Sequence, residues 1–437
     1  MSTLRPIFSL LLGTFFLIVG HGIQITLIPL RAEAEGWAPF QIGAIGSAYY
    51  VGFVVGCIGA PFLIRRAGHI RAFITLVSLI SSVMVVHPLW VTFPTWFVLR
   101  MLLGLSLAGL YMILESWLND RASNTNRGFI MSAYIMVNYG ALAVGQFLVT
   151  LSSPLEFTLF AVATMTMSLA AMPLALTRQT QPAPVANVRF RPLALYRNSP
   201  VGLVGVTASG VANGAFWSLG AVAAVGAGMS ARDAAIFMGI VTAAGALAQW
   251  PAGRVSDSID RRLVLVTILI AAVIVGLLFA FLPLPTGGWF IFAALFGMAI
   301  APTYSLAAAH AYDYAPKGST VETAAGLFLA NASGAIVGPL IASTVMERYG
   351  TARLFLFTAI VHAALAAYIF WRIRQRKAVA AVLKTEFDQA ATVPAGSGIP
   401  PGPLDPSDIN VAMPHPEEEP PSPPPDAGPG EPPKAAP

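Results

Sequence analysis

An all-α integral membrane fold of about twelve transmembrane helices, in two pseudo-symmetric six-helix bundles, is what this sequence predicts. Three observations carry that prediction. The 437 residues are 56% hydrophobic and only 10% charged, with the charges falling between long apolar runs, more apolar sequence than a soluble core absorbs. Those runs approach the ~20 apolar residues that a helix needs to cross a bilayer, and they are too long and continuous for barrel strands. The segment Asn138 to Gln146 (NYGALAVGQ) is echoed by Asn331 to Pro339 (NASGAIVGP) at an offset of 193 residues. The charged turn Arg65-Arg66-Ala67-Gly68 has its counterpart in Asp257-Ser258-Ile259-Asp260 at nearly the same offset, so the duplication spans several helices. Internal repeats of this kind are a property of secondary transporters.

The first six predicted spans are Ile7 to Pro29, Phe40 to Phe62, Ala72 to Phe93, Thr95 to Leu118, Phe129 to Leu151 and Leu155 to Leu176. The second six are Ser199 to Val222, Ala231 to Ala252, Leu263 to Leu282, Gly288 to Ala309, Thr323 to Met346 and Ala352 to Trp371. With the amino terminus inside, the inner loops collect most Arg and Lys residues, including Arg65, Arg66, Arg71, Arg121, Arg127, Arg254, Arg261 and Arg262. The outer side holds Arg31, Arg232, Arg348 and Arg353. Basic residues translocate poorly, so both termini are expected in the cytoplasm. The net charge of +5 is then a topology signal and not a nucleic-acid footprint.

Ala32-Glu33-Ala34 has the look of a processing site, but the apolar stretch before it is too long for a leader, and an uncleaved first helix is expected. Cys57 stands alone in the second span, which excludes an internal disulfide and a cysteine metal cluster and leaves a small packing residue. The expected organisation is an N-terminal bundle over 1–176, a linker over 177–198, a C-terminal bundle over 199–376 and a tail over 377–437. The linker, with Pro182, Pro184, Pro192 and four arginines, reads as a mobile cytoplasmic hinge. From Thr385 onward lie sixteen of the 34 prolines and the acidic run Glu417 to Glu419, a composition for a disordered tail of polyproline character. Its Pro-Pro-Ser-Pro-Pro-Pro segment could dock a partner, although an inert solvated tail is the expected reading.

In the loop after the eighth span, Gly253, Asp257, Arg261 and Arg262 fall at the positions of the G-x-x-x-D-R-x-G-R-R signature of the major facilitator superfamily, with departures at Ser258 and Asp260. The first-half copy matches only at Arg66 and Gly68. A carboxylate at that turn can face the positive end of a neighbouring helix, which places Asp257 near Arg127 and Phe129 of the fifth span. In the first half Arg65 occupies the carboxylate position, so Arg65 or Arg66 is expected to pair with Glu322 instead. The alternative is that these arginines only set topology.

Arg100-Met-Leu-Leu-Gly104 also resembles a superfamily motif; Arg100 is a substrate or coupling candidate, but it lies one or two turns from the outer end, and snorkelling to the surface is the favoured reading of it. Glu115 lies fifteen residues further along the same helix, roughly 22 Å away, so the two cannot pair directly. Glu115 is either a proton-coupling carboxylate or a structural one bonded to the Asn119 and Arg121 region.

The segments Glu115-Ser-Trp117, Asn126-Arg127-Gly128, Tyr134, Asn138-Tyr139, Gly145-Gln146 and Gln249 to Gly253 resemble the YcaD-type branch of that superfamily over roughly Arg5 to Arg376. The resemblance implies the major facilitator fold, with a central cavity lined mainly by helices one, four, seven and ten and opened alternately to each side. The polar candidates on those helices are His21 and Gln24, Tyr111 and Glu115, Asn213 and Trp217, and Tyr304. His21 with Gln24, and Asn213 with Trp217, each share a helix face and could hold a polar ligand group against an aromatic wall, or simply join helices. Asn138 and Asn331 are expected to bond and pack, and Gly140, Gly145, Gly334 and Gly338 to permit close helix approach. Gly338-Pro339 resembles an antiporter motif that drug antiporters carry in helix five, where this chain has Gly145-Gln146.

The expected function is therefore secondary transport of a small organic solute by alternating access, with protons as coupling ion, and the resemblance implies the cytoplasmic membrane of a bacterium. No cofactor, metal or nucleic-acid partner is expected, and no phosphate-binding loop is present to drive a pump. An intramembrane enzyme is not expected, because no nucleophile accompanies Glu115 or His21. The alternative is a sensor or scaffold that signals through the Pro-rich tail; deleting Thr385 to Pro437 would spare transport but abolish scaffolding.

Overall fold

The computed structural model describes residues 7–122, 126–176, 192–316 and 320–375. The expected tail and the linker up to residue 191 lie outside the described residues. Within them the chain is helical, in the order α1 (Phe8–Ala34), α2 (Pro39–Ala67), α3 (His69–Leu89), α4 (Phe93–Arg121), α5 (Arg127–Leu148), α6 (Phe157–Leu169) and α7 (Ala171–Ala175). There follow α8 (Pro192–Asn198), α9 (Pro200–Gly226), α10 (Ala231–Ser258), α11 (Arg261–Phe281), α12 (Thr286–Tyr312), α13 (Thr320–Tyr349) and α14 (Arg353–Gln375). Among the described residues, twelve stretches are long and apolar enough to cross a membrane, with α6 and α7 together making the sixth. This is a multi-pass membrane protein.

Most helices outrun their predicted spans because charged residues such as Arg31, Arg65 and Arg121 continue the helix past its apolar part. The sixth span is interrupted at Ala170, where Pro173 cannot donate a backbone hydrogen bond to the Leu169 carbonyl. The linker also departs from a plain hinge, since its last residues form α8, packed on α9 and α13.

Pseudo-symmetry is visible in the ends and in the crossings. α1 and α9 end in the same motif, with Gly36 at φ +78° and Gly228 at φ +96°. The next amide reaches back in each case, Trp37 N–H to the Ala32 carbonyl and Met229 N–H to the Ala224 carbonyl, satisfying end groups the helix leaves open. In the first half α1 packs on α5, α2 on α4 and α3 on α6; in the second, α9 packs on α13, α10 on α12 and α11 on α14. Close contact needs glycine at these crossings. A Cβ on Gly145 would lie 2.2 Å from the Val19 carbonyl oxygen, and one on Gly338 2.1 Å from that of Val211. Gly334 is equally confined, whereas a Cβ on Gly140 would meet open space, so Gly140 is not a packing glycine.

The halves meet chiefly through α2 against α13 and α5 against α10. Ser47 Oγ donates to the Ile336 carbonyl at 2.7 Å, Thr242 Oγ1 to Gln146 Oε1, and Gln249 Nε2 to Tyr139 Oη at 3.1 Å. α1 begins and α14 ends on one face, the terminal face. The first two of these contacts lie in the half of the molecule away from it, and the third just on its side of mid-depth.

Candidate functional site

A cavity of about 170 Å³ lies at mid-depth between the two halves. His21 of α1, Tyr49, Tyr50 and Phe53 of α2, Tyr111 of α4, and Asn138 and Tyr139 of α5 line it from the first half. Asn213 and Trp217 of α9, Ile300 of α12, and Phe328 and Asn331 of α13 line it from the second. The glycine crossings set these positions: α1 meets α5 at Gly22 and Gly145, and α9 meets α13 at Gly210 and Gly334, which brings all three asparagines towards the same space. Each amide is held by its own bundle. Asn138 Nδ2 donates to the Tyr134 carbonyl at 3.1 Å, Asn213 Nδ2 to Ser209 Oγ at 3.1 Å, and Asn331 Nδ2 to the Val206 carbonyl at 3.0 Å. Asn138 Oδ1 is buried with no hydrogen-bond partner, an acceptor available to a ligand.

Behind the cavity wall lies a charged group. Arg100 is 4% exposed, so the snorkelling expected from its place near the helix end does not occur. Its Nη1 donates to Gln24 Oε1 at 2.6 Å and its Nε to the Ile45 carbonyl at 3.3 Å. The guanidinium carbon stands 4.8 Å from the centre of the Tyr49 ring. Gln24 Nε2 and His21 Nδ1 are 2.7 Å apart, so the pair expected from i,i+3 spacing forms and carries the chain from Arg100 to the cavity.

Glu115 is 1% exposed and accepts a hydrogen bond from Tyr134 Oη at 3.0 Å. It does not line the cavity; Tyr111, one turn away on the same helix, does. The donor is a tyrosine of α5, a partner that spacing along α4 does not show. Tyr304 also fails to reach the cavity. It is buried in a separate apolar cluster one turn nearer the terminal face, where α12 closes on α9 through Ala307 against Gly205.

At the terminal face, Arg261 is buried and pairs with Asp313 at 2.9 Å and Asp257 at 3.1 Å, while its Nη1 donates to Ser256 Oγ at 2.9 Å. Asp257 therefore meets Arg261, four residues on, and the expected Arg127 partner lies outside the described side chains. Gly253 closes the same turn by accepting from Ser256 Oγ. In the first half Gly68, at φ +80°, ends α2, and Arg65 and Arg66 are exposed. Among the described residues neither pairs with Glu322, so the cross-half pair expected there is not made in this state.

Asp260 caps α11 by accepting from the Arg262 amide at 3.0 Å, and pairs with the Arg262 guanidinium at 2.8 Å. Burial works against its ionisation, but the hydrogen bonds and charge of Arg262, helped by His310, hold it below the usual carboxylate range. A depressed folded-state value means stability that is present above the ordinary carboxylate range and lost as pH falls through the folded value. Thermal unfolding of Asp260→Asn against wild type from neutral to acid pH should therefore show a difference at neutral pH that shrinks in acid; a constant difference would contradict this account.

The Major Facilitator Superfamily profile matches residues 10–333, three quarters of the chain. The chain belongs to the major facilitator superfamily. It is 29% identical over 362 residues to an uncharacterized MFS-type transporter, YcaD, of Salmonella typhimurium, covering 82% of this chain and 93% of that one. It is 29% identical over 379 residues to the uncharacterized MFS-type transporter Ent638_1421 of Enterobacter sp. (strain 638), covering 86% and 96%. Among solved structures, a bacterial homolog of the human lysosomal transporter Spinster, inward-facing and occupied, has a TM-score of 0.72 at 14% identity, covering 85% of this chain and 96% of that one. The nucleoside transporter NupG has a TM-score of 0.71 at 13% identity over 84% and 99%. The fucose:proton symporter FucP of E. coli, as a point variant, has a TM-score of 0.53 at 18% identity over 85% and 99%.

For this superfamily member, sequence reasoning placed His21, Tyr111, Asn213 and Trp217 on the cavity, and the structure brings them there. It missed Tyr49, Tyr50, Phe53, Tyr139 and Phe328, and it read Asn138 and Asn331 as bonding and packing residues; they do bond, and they also line the cavity. The cavity is lined by α2, α5 and α13 as much as by helices one, four, seven and ten of the expected set. One signal was available: Asn138 and Asn331 open the repeated segment itself.

Proposed function

We propose that this superfamily member is a secondary active transporter of a small organic solute, working by alternating access and coupled to protons, in the cytoplasmic membrane with both termini in the cytoplasm. The observation that carries the reading is the cavity itself. Its amide and aromatic side chains come from both halves, so a solute bound there is held by two bodies that can rock about it. Few hydrogen bonds join the halves on the side away from the terminal face, and these are the contacts that opening to that side has to break. Proton coupling is supported by Glu115, which is buried and accepts from the hydroxyl of Tyr134, the residue whose backbone carbonyl holds Asn138 on the cavity wall. The fold is also that of a fucose:proton symporter.

Thermal unfolding of purified protein against a library of metabolites at two pH values tests this, because a ligand that binds only the folded state stabilises it. A stabilising compound is expected to bind about tenfold more weakly to Asn213→Ala, the order of one lost hydrogen bond. In proteoliposomes Glu115→Gln should keep exchange of that compound but lose its accumulation under an imposed pH gradient. If no compound in a broad library stabilises folded protein and none is carried, the reading fails.

A further inference from the structure

We propose that the cavity takes an organic anion: a small, partly aromatic body with one negatively charged group and one N–H or O–H donor. The proposal rests on the transport reading for its biology, but its physical basis is separate.

A buried guanidinium without a counter-charge is costly, and proteins ordinarily give it a carboxylate. Arg100 has none. Its partners are the Gln24 amide oxygen, the Ile45 carbonyl and the face of Tyr49, all uncharged, and no carboxylate among the described residues lies within ion-pair distance. Glu115, the carboxylate on the same helix, is roughly 22 Å along the axis. Among the described residues, no aspartate or glutamate lines the cavity. Only one layer of side chains separates Arg100 from it, since Tyr49 lies against the guanidinium and His21 is tied to it through Gln24, and both line the space. In surroundings of low dielectric such a charge is felt across that layer. The missing counter-charge is therefore supplied by the ligand.

Two further features narrow its chemistry. Asn138 Oδ1 is a buried acceptor with no donor, so the ligand brings one. Trp217, Phe53 and Phe328 offer ring faces and edges to an aromatic body. Those rings could also hold a cation by its attraction to their faces, and this is the competing outcome.

The sign of the cavity can be read without knowing the substrate. Trp217 lines it, and its emission is isolated by subtracting the spectrum of Trp217→Phe from that of the full-length wild type. At fixed ionic strength, with each quenching constant divided by that of free N-acetyltryptophanamide, iodide should quench Trp217 about threefold more effectively than caesium, with neutral acrylamide as the access control. Arg100→Gln should bring that ratio to about one, and Arg100→Lys, which keeps the charge, should preserve most of it. A ratio at or below one in the wild type, or one unchanged in folded Arg100→Gln, overturns the proposal. If Arg100→Gln does not fold, the wild-type ratio decides alone.

A matched set of probes of one shape, 4-hydroxyphenylacetate, 4-hydroxyphenylacetamide and tyramine, provides the second arm by thermal unfolding. The anion should give the largest shift, lost in Arg100→Gln. A larger shift with tyramine overturns the proposal, and if none of the three shifts the protein the quenching ratio decides. Failure of the transport reading is distinguishable, since it leaves the iodide preference intact while no compound is carried.

Discussion

Gly52→Ala is expected to destabilise this transporter by about 3 kcal/mol or more, the upper range for overpacking a tight contact. A Cβ on Gly52 would stand 1.9 Å from the Met101 carbonyl oxygen and 2.7 Å from Met101 Cα. Both obstacles are backbone, so no rotamer change can clear them and α2 must move away from α4. The reverse contact is equally tight, with a Cβ on Gly104 falling 2.0 Å from the Tyr49 carbonyl oxygen. Separation of these helices would carry Tyr49, Tyr50 and Phe53 away from Tyr111 and dismantle one wall of the cavity. The control lies on the same helix: a Cβ on Gly59 meets nothing within 4 Å, and Gly59→Ala should be neutral or gain about 0.5–1 kcal/mol from helix propensity. Thermal unfolding of the two variants side by side checks the account, and equal behaviour would refute it.

Arg261→Met is expected to cost about 3 kcal/mol, because it takes the guanidinium away from a buried carboxylate. The Arg261 and Asp313 side chains are 1% and 2% exposed and meet at 2.9 Å, and Asp257 is the second carboxylate on the same guanidinium. The large cost belongs to breaking the pair and not to the pair's own worth, and the two can be separated. Asp313→Asn added to Arg261→Met removes the buried carboxylate that has lost Arg261, so the double variant should be more stable than Arg261→Met alone. Additive losses across that cycle would mean that the two side chains do not act as a unit. Since this cluster joins α10, α11 and the end of α12 at the terminal face, its loss should also alter transport in variants that still fold.

Much of this architecture was legible in the residues. The apolar runs gave the number of spans because a bilayer leaves the backbone few other ways to satisfy its polar groups, and the repeat gave the two halves. The i,i+3 and i,i+4 pairs His21 with Gln24 and Asn213 with Trp217 were legible for the same reason, as helix geometry fixes which neighbours share a face. Tyr304 was misplaced because being polar in the right helix says nothing about the level at which that helix closes on its neighbour. Arg100 was misread because its nearness to a helix end suggested an exit to the surface, while Gln24 and Tyr49, which hold it inside, come from other helices.

The sequence by itself thus determined what is local or periodic: the spans, the duplication, the helix faces and the family signature at Gly253, Asp257, Arg261 and Arg262. Only the tertiary structure decided which faces meet. The cavity wall from α2, α5 and α13, the partners of Arg100, the open acceptor of Asn138 and the burial of Glu115 against Tyr134 all depend on how deep one helix sits against another. That depth is set by contacts between distant segments, such as Gly52 on Met101 and Gly145 on Val19, whose energies come from the packing of two surfaces and are written in neither segment alone.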